Sequence, residues 1–164
     1  MSRVPSIRYL SRVGVLAAVY AVLTALPPLS SLSYGPVQVR VSEALTVLPY
    51  VAPWAMWGLY LGCILGNLAS PFLAWDVTIG ALATLVAAYA TRKMPRDYLA
   101  PLPPVIVNAL VVSAYVAPLS GVPYWLTAVY IALGETVASF GIGYPLLLII
   151  EKNPKLKEFI SGSS

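Results

Sequence analysis

The sequence contains few charged residues, one cysteine and no histidine. Only 10% of its 164 residues are charged, whereas a soluble domain carries about 25%. Hydrophobic residues make up 59%, and the mean hydropathy is +0.82. This composition excludes a soluble domain of this size, because a small domain cannot bury so much apolar side chain. We therefore expect an integral membrane protein.

The missing residue types also exclude several kinds of chemistry. Cys63 is the single cysteine, so we expect neither an internal disulfide nor a cysteine metal site. The absence of histidine removes the commonest metal ligand. The sequence lacks a Walker-type phosphate loop, so we expect no ATP hydrolysis by the chain itself, and it lacks nucleophile-elbow and zinc-protease motifs. We predict no metal, no cofactor and no enzymatic activity.

Long apolar segments are what the sequence has in abundance, and a membrane-spanning helix needs roughly 20 such residues. Five segments approach that length: 13–29, 54–72, 76–91, 102–119 and 124–150. A further segment, 43–53, is apolar but short. Pro49 and Pro53 would kink or end a helix there. We expect no cleaved signal peptide, because no small-residue cleavage site follows the first apolar run.

The basic residues decide whether segment 43–53 crosses the membrane, because short cytoplasmic loops collect lysine and arginine. Nine of the ten basic residues lie within 3–12, 92–96 and 152–157. Six crossings place all nine on one side, whereas five would separate the first cluster from the others. The net charge of +4 thus indicates topology, and we expect no nucleic-acid partner. We predict an all-α integral membrane protein with six transmembrane helices, both termini cytoplasmic, forming one domain over 1–164.

Polar side chains gather in the outer half of this predicted bundle. They are Gln38, Arg40, Glu43, Asn67, Ser70, Asp76, Thr78 and Glu135. Ionisable groups at membrane depth are energetically unfavourable and tend to face a cavity or a partner. Glu135 is the sharpest case, about 18 Å below the outer end of its span. Asn67 and Asn108, which lies in the inner half, are typical of hydrogen bonds between helices.

Charge balance indicates a binding site. Arg40 is the one basic residue predicted on the outer side, and it cannot neutralise Glu43, Asp76 and Glu135 together. The surplus of two negative charges predicts that a donor-rich or cationic ligand completes the site. Two structural alternatives stay open: Arg40 could pair with Glu135 or Glu43 only for packing, and Asp76 could cap its helix.

The first span has small residues at intervals of three and four. They are Gly14, Ala17, Ala18, Ala21 and Ala25. Such a stripe lets another helix approach closely. That helix could belong to this chain or to a partner subunit.

Five stretches together resemble the queuosine-precursor transporter family over nearly the whole chain. They are YGPVQVRVSEALTVLP (34–49), LYLGCILGNLASP (59–71), GALATL (80–85), PLPPVIVNAL (101–110) and ALGE (132–135). The resemblance implies a six-helix substrate-capturing S-component of an energy-coupling-factor importer in the cell membrane. It also implies a transmembrane coupling subunit and two ATP-binding subunits as partners.

The ligand implied by the resemblance is a 7-deazaguanine base, the 7-cyano or 7-aminomethyl precursor of queuosine. One edge of such a base carries an N–H and an exocyclic amine beside a carbonyl. Glu135 or Glu43 could accept from the two donors, and Arg40 or Gln38 could donate to the carbonyl. A cationic aminomethyl group would also suit the surplus negative charge.

The complete predicted site contains polar and aromatic side chains, the latter for stacking on a flat ring. Its members are Gln38, Arg40, Glu43, Asn67, Asp76, Glu135, Tyr34, Tyr115 and Trp125. By resemblance to the class, Ala17 and Ala21 would contact the coupling subunit, and segment 30–42 is long and polar enough for a lid. Open alternatives are an S-component for another vitamin or base, a small membrane enzyme using Glu43 and Glu135, and an assembly subunit that binds no small molecule.

Overall fold

The computed structural model of the chain describes residues 6–26, 33 and 38–162. These residues form seven helices of eight residues or more, and they contain no strands. The helices are α1 (Ile7–Ala25), a 3₁₀ helix (Val41–Tyr50), α2 (Ala55–Ala69), α3 (Leu73–Arg92), α4 (Leu102–Ser120), α5 (Tyr124–Lys152) and α6 (Pro154–Ser161). The prediction of an all-α protein is confirmed.

The number of membrane crossings is not fixed by helix length alone. Four helices are long and apolar enough to span a bilayer: α1, α3, α4 with the turn before it, and α5. The 3₁₀ helix and α2 occupy the other two predicted spans, but they are shorter. The seventh helix, α6, is polar and follows the last predicted span.

The ends of α1 follow from local sequence. The Ser6 side chain accepts a hydrogen bond from the backbone N–H of Tyr9 at 3.2 Å, which satisfies one of the free donors of the first turn. Leu26 has extended backbone angles and ends the helix. Pro27 follows Leu26 in the sequence, and a residue before proline avoids the helical conformation.

The 3₁₀ helix is the most enclosed helix of the bundle and contacts α1, α2, α3 and α5. Seven of its ten residues are buried. Pro49 lies inside this helix and has no N–H to offer, and the Thr46 hydroxyl donates to the Glu43 carbonyl at 2.5 Å. At about 2.0 Å of rise per residue, ten residues span roughly 20 Å. Pro49 lies in the last turn, and the helix ends one residue later at Tyr50, in agreement with the expectation that proline would end a helix here.

Glycines let α2 pack closely on α1. The facing pairs are Gly58 with Leu16, Gly62 with Tyr20, and Gly66 with Thr24. A Cβ atom added at these glycines would lie 2.7 to 2.9 Å from the facing side chain, closer than carbon atoms approach. From one pair to the next the residue numbers increase on both helices, so α1 and α2 run parallel.

The next two pairs, α2 with α3 and α3 with α4, are antiparallel. Thr84 of α3 contacts Cys63 of α2 at 3.4 Å, and Asp76 of α3 contacts Ser70 at the end of α2. The contact of Asp76 with Tyr115 places the start of α3 beside the end of α4. Successive helices from α1 to α5 thus alternate between the two ends of the bundle, with the 3₁₀ helix as the second.

This alternation brings the basic residues to one end, which we call the basic end. Its members are Arg8, Arg12, Arg92, Lys93, Arg96, Lys152, Lys155 and Lys157. The turn before α2 also reaches this end, because the Trp54 indole N–H donates to the Ile160 carbonyl of α6 at 2.8 Å. The 3₁₀ helix and α2 therefore run the full distance between the two ends.

The outer surface of the bundle is apolar. Large hydrophobic side chains such as Val15 on α1, Leu82 and Val86 on α3, and Val129 and Leu133 on α5 are all more than 50% exposed. In water such a surface would be an aggregation hazard, whereas it suits contact with lipid. The chain is a multi-pass membrane protein.

Candidate functional site

Asp76 is buried in a network with three partners. It begins a π-helical segment of α3, Asp76–Gly80, and wide turns of this kind often mark functional positions. Ser70 donates a hydrogen bond to Asp76 Oδ2, and the Tyr115 hydroxyl donates to Oδ1 at 2.5 Å. Arg40 Nη2 lies 3.9 Å from Oδ1. Both oxygens of this carboxylate are therefore matched within the chain.

These contacts decide two of the structural alternatives. The proposed cap role of Asp76 is wrong, because α3 begins at Leu73 with Phe72 in the capping position. Within the part of the chain that the structure describes, the ion pair of Arg40 is with Asp76, and neither Glu43 nor Glu135 lies within ion-pair distance of it.

Glu43 has one hydrogen-bonded oxygen and one oxygen without a partner. It lies in the first turn of the 3₁₀ helix and is 1% exposed. The Tyr20 hydroxyl of α1 donates to Oε1, whereas Oε2 is buried and has no hydrogen-bond partner among the described residues. Beside it, the hydroxyls of Thr24 and Ser42 bond to each other at 2.7 Å. The chain orients this carboxylate without completing its hydrogen bonding.

Glu135 has the same half-completed arrangement. It lies on α5 just before a second π-helical segment, Val137–Gly143, and is 5% exposed. Asn108 of α4 donates through Nδ2 to Oε1 at 2.7 Å. Glu135 Oε2 and Asn108 Oδ1 are both buried without a partner in the described structure. Asn108 therefore does link two helices, as predicted, and it also adds a free acceptor.

The two half-completed carboxylates belong to facing elements. The start of the 3₁₀ helix runs along α5, since Ser139 contacts the Glu43 carbonyl at 3.4 Å and Gly134 lies against the Gln38 carbonyl. A side chain at Gly134 would overlap that carbonyl, so only glycine allows this approach. Glu135 precedes Ser139 by about one turn. The two carboxylates therefore lie on neighbouring parts of facing elements.

Arg40 is the one buried basic residue among those that the structure describes. Its Nε donates to the Ser33 carbonyl at 3.4 Å. Its Nη2 has the ion pair with Asp76 but no hydrogen-bond partner in the described chain. Asn67 Oδ1 and Ser113 Oγ are also buried and have no hydrogen-bond partner within the described ranges. Buried polar atoms are nearly always hydrogen-bonded, so this group of unmatched atoms indicates a binding site.

The other predicted site residues lie in different surroundings. Gln38 is buried just before the 3₁₀ helix, which begins at Val41. Asn67 donates to the Cys63 sulfur at 3.2 Å. The Tyr115 ring stacks on Trp75, with centroids 6.0 Å apart. Trp125 is 72% exposed and meets Tyr124 edge-on, outside the buried network. Tyr34, and most of the predicted lid 30–42, lie outside the described residues.

The predicted partner-binding pair divides between two environments. Ala17 is 3% exposed, because α2 covers it at Gly62. Its assignment to a partner contact is corrected accordingly. Ala21 is half-buried, and the exposed small residues of α1 are Gly14 and Ala18.

Tyr20 and Ser113 join the candidate site in the structure, and the sequence alone does not predict them. Tyr20 is fully buried and holds Glu43, and Ser113 is fully buried on α4. The available signal was the same for both, a polar atom in the middle of an apolar run. A tyrosine in such a run is ordinary in membrane helices, so only the fold reveals its partner.

Comparisons with known proteins give one family. The family model described as QueT transporter matches residues 10–152. A curated protein from Lactococcus lactis subsp. cremoris (strain MG1363), named queuosine precursor transporter QueT, is 40% identical over 74 residues. That alignment covers 45% of this chain and 43% of the relative, so the matched part spans less than half of the curated protein. No solved structure matches the chain.

Proposed function

Because the chain belongs to the QueT transporter family, we propose that it captures a queuosine precursor, a 7-deazaguanine base, for transport across the membrane. The observation that carries this proposal is the pair of buried oxygens, Oε2 of Glu43 and Oε2 of Glu135, that lack a hydrogen-bond partner among the described residues. The L. lactis relative, whose printed name refers to a queuosine precursor, supports the choice of ligand.

The ligand edge and the free protein atoms are complementary. A deazaguanine presents two adjacent donors, the ring N–H and the exocyclic amine, beside a carbonyl. Because each glutamate already uses one oxygen internally, the two donors are shared between Glu43 and Glu135. Arg40 Nη2, which lacks a hydrogen-bond partner among the described residues, can donate to the carbonyl, and charge-assisted hydrogen bonds of this kind are strong.

Electrostatics favours a donor-rich or cationic guest. Arg40 contributes one positive charge, and Glu43, Asp76 and Glu135 contribute three negative charges, which leaves a formal charge of −2. Asp76 is matched by Ser70, Tyr115 and Arg40. The surplus therefore resides on the two glutamates, where an aminomethyl ammonium group or the N–H edge of the base would offset it.

The same family membership decides against the enzyme alternative, because the family is one of transporters. Glu43 and Glu135 are assigned to ligand binding rather than to catalysis. Within transport, the proposed role is that of a substrate-capturing S-component with six membrane crossings and cytoplasmic termini. It would work with a coupling subunit and two ATP-binding subunits, since the sequence has no phosphate loop of its own.

The proposed contact with the coupling subunit is the exposed face of α1. Gly14 and Ala18 are exposed there, and nothing lies within 4 Å of a Cβ atom placed on Gly14. Small residues four apart permit close helix packing in a membrane. Ala21 lies at the edge of this face.

Ligand titration of the purified protein tests the proposal. Isothermal titration with 7-cyano-7-deazaguanine, 7-aminomethyl-7-deazaguanine, thiamine and riboflavin would compare the proposed ligands with those of other S-components. We expect at least one deazaguanine to bind at least about tenfold more tightly than either vitamin, a difference of about 1.4 kcal/mol. Tighter binding of a vitamin would favour an S-component of another specificity, and no binding of any compound would favour an assembly subunit.

A further inference from the structure

A groove at the basic end runs between α1 and α6 and changes from charged to apolar along its length. Its charged section has a volume of about 440 Å³ and is lined by Arg8 and Arg12. The next section, about 340 Å³, is lined by apolar side chains that include Val15 and Val19. Arg12 and Phe159 line both sections, so the two form one continuous groove.

The order of residues along α1 matches the order of groups in a phospholipid. Arg8, Arg12, Val15 and Val19 are spaced by four, three and four residues, which places them on one face of the helix. From Arg8 to Val19 this face extends for about 16 Å. A phosphate followed by part of an acyl chain has the same sequence of charge and apolar surface.

The charge of the groove is not neutralised by its own walls. Among the residues that line it, two are arginines and none is acidic in the described chain. Glu151, which lies just before α6 in the sequence, pairs with Lys157 of α6 at 3.8 Å. The Arg12 guanidinium is held over the Phe159 ring, 5.9 Å from its centroid. An anion could therefore bind two positioned cations here.

The neighbouring side chains are typical of a membrane interface. The Trp54 indole, which lines the apolar section, bonds to Ile160 of α6, and tryptophan favours the interface between lipid and water. Helix α6 has Phe159 72% exposed and lysines at 155 and 157. A short helix with one apolar face and basic residues on the other lies along the bilayer surface.

We propose that this groove binds an anionic phospholipid, with the phosphate between Arg8 and Arg12 and an acyl chain along Val15 and Val19. Basic pockets between membrane helices bind acidic lipid head groups, and the cytoplasmic leaflet carries anionic lipid. The groove is separate from the Glu43 and Glu135 site, so failure of either assignment leaves the other intact.

Native mass spectrometry of the full chain, released from nanodiscs of equal phosphatidylglycerol and phosphatidylcholine, tests this site. We expect the protein to retain phosphatidylglycerol at least about tenfold over phosphatidylcholine, since each basic group near the surface contributes substantially to anionic lipid binding. The double variant Arg8→Gln, Arg12→Gln should lose this preference. The matched control Arg92→Gln, Lys93→Gln removes two charges from the same end but from another helix, and it should retain the preference.

A second variant distinguishes binding of a lipid from binding of a free anion. Val19→Trp fills the apolar section while both arginines remain, so we expect phosphatidylglycerol retention to fall at least about fivefold, because part of the buried acyl chain is displaced. Unchanged retention in Val19→Trp, or displacement of the lipid by millimolar inorganic phosphate, would overturn the lipid assignment in favour of a simple anion site. If the variants do not fold, the wild-type chain still tests the proposal. Equal retention of phosphatidylglycerol and phosphatidylcholine by the wild-type chain would overturn the lipid assignment.

Discussion

At the scale of single residues, the two glutamates are the groups that most need explanation. A buried carboxylate with an unmatched oxygen destabilises a fold, and Glu43 and Glu135 both retain one. Asp76 shows that this chain can complete a buried carboxylate, since Ser70, Tyr115 and Arg40 surround it. The difference between the two cases supports a structural role for Asp76 and a ligand-binding role for the glutamates.

The first prediction concerns Glu135→Gln. The substitution removes the charge but keeps the size of the side chain, so we expect the deazaguanine affinity to fall at least about tenfold, or about 1.4 kcal/mol. The midpoint of thermal unfolding should not fall, because the glutamine oxygen can still accept from Asn108 and a buried charge is removed. Titration calorimetry and a thermal melt of the same preparation measure both quantities.

The matched control is Glu151→Gln, which alters a partly exposed ion pair with Lys157 at the basic end. Its ligand affinity should equal that of the wild type. An unchanged affinity in Glu135→Gln would remove Glu135 from the site.

How far the sequence predicts the site depends on the kind of residue. Charged residues in an apolar chain stand out, so Arg40, Glu43 and Glu135 could be identified without a structure. Which acid pairs with Arg40 depends on packing, and the partner proved to be Asp76. Tyr20 could not be identified, because its hydroxyl gains significance only when the fold brings it to Glu43.

At the scale of helices, the α1–α2 contact positions the site. Gly62 faces Tyr20 at a distance that leaves no room for a Cβ atom, and Tyr20 in turn holds Glu43. The second prediction is that Gly62→Ala destabilises the protein by about 1–3 kcal/mol, because overpacking moves helices apart. Ligand affinity should fall with it, since Tyr20 shifts. Thermal melts and titrations of the purified variant measure the two effects.

Gly14→Ala provides the comparison on the same helix pair. Gly14 lies on the open face of α1, with nothing within 4 Å of an added Cβ atom, so the variant should be as stable as the wild type or slightly more stable. Equal stability of both variants would mean that α1 and α2 are not as closely packed as described.

Substitutions of two adjacent alanines on α1 distinguish packing within the chain from docking of a partner subunit. The third prediction is that Ala18→Leu abolishes uptake by the assembled transporter while the isolated chain still binds ligand, because Ala18 is exposed. Ala17→Leu should impair both activities, because Ala17 is covered by α2. Uptake in cells that express the coupling subunits, and titration of the purified chain, measure the two activities. Normal uptake with Ala18→Leu would place the docking face elsewhere.

Helix positions could be predicted better than helix type. The six predicted segments overlap α1, the 3₁₀ helix and α2 to α5. The first predicted segment starts at residue 13, whereas α1 starts at Ile7 and includes Arg8 and Arg12. Their long basic side chains can reach the membrane surface from within the helix. A ten-residue 3₁₀ helix could not be predicted, because such helices are rarely this long and this one depends on enclosure by its neighbours.

At the scale of the whole molecule, the two ends of the bundle differ in charge. Every described lysine and every described arginine other than Arg40 lies at the basic end or in α6 beside it. Cytoplasmic loops collect such residues, so we propose that the basic end faces the cytoplasm and the Arg40 end faces outside. A base arriving from outside would then meet the end of the bundle at which Arg40 lies.

The fourth prediction tests this orientation and the number of crossings together. The single cysteine, Cys63, is buried, so a Cys63→Ala background allows one new cysteine at a time. We expect a membrane-impermeant maleimide to label Ser120→Cys in intact cells, because Ser120 ends α4 opposite the basic end. Lys157→Cys and Pro53→Cys should react only after the membrane is permeabilised, since α6 and the turn before α2 lie at the basic end.

Pro53 is decisive, because it joins the two helices that are shorter than a full span. Labelling of Pro53→Cys from outside would mean that the 3₁₀ helix and α2 re-enter without crossing, and labelling of Lys157→Cys from outside would invert the whole topology.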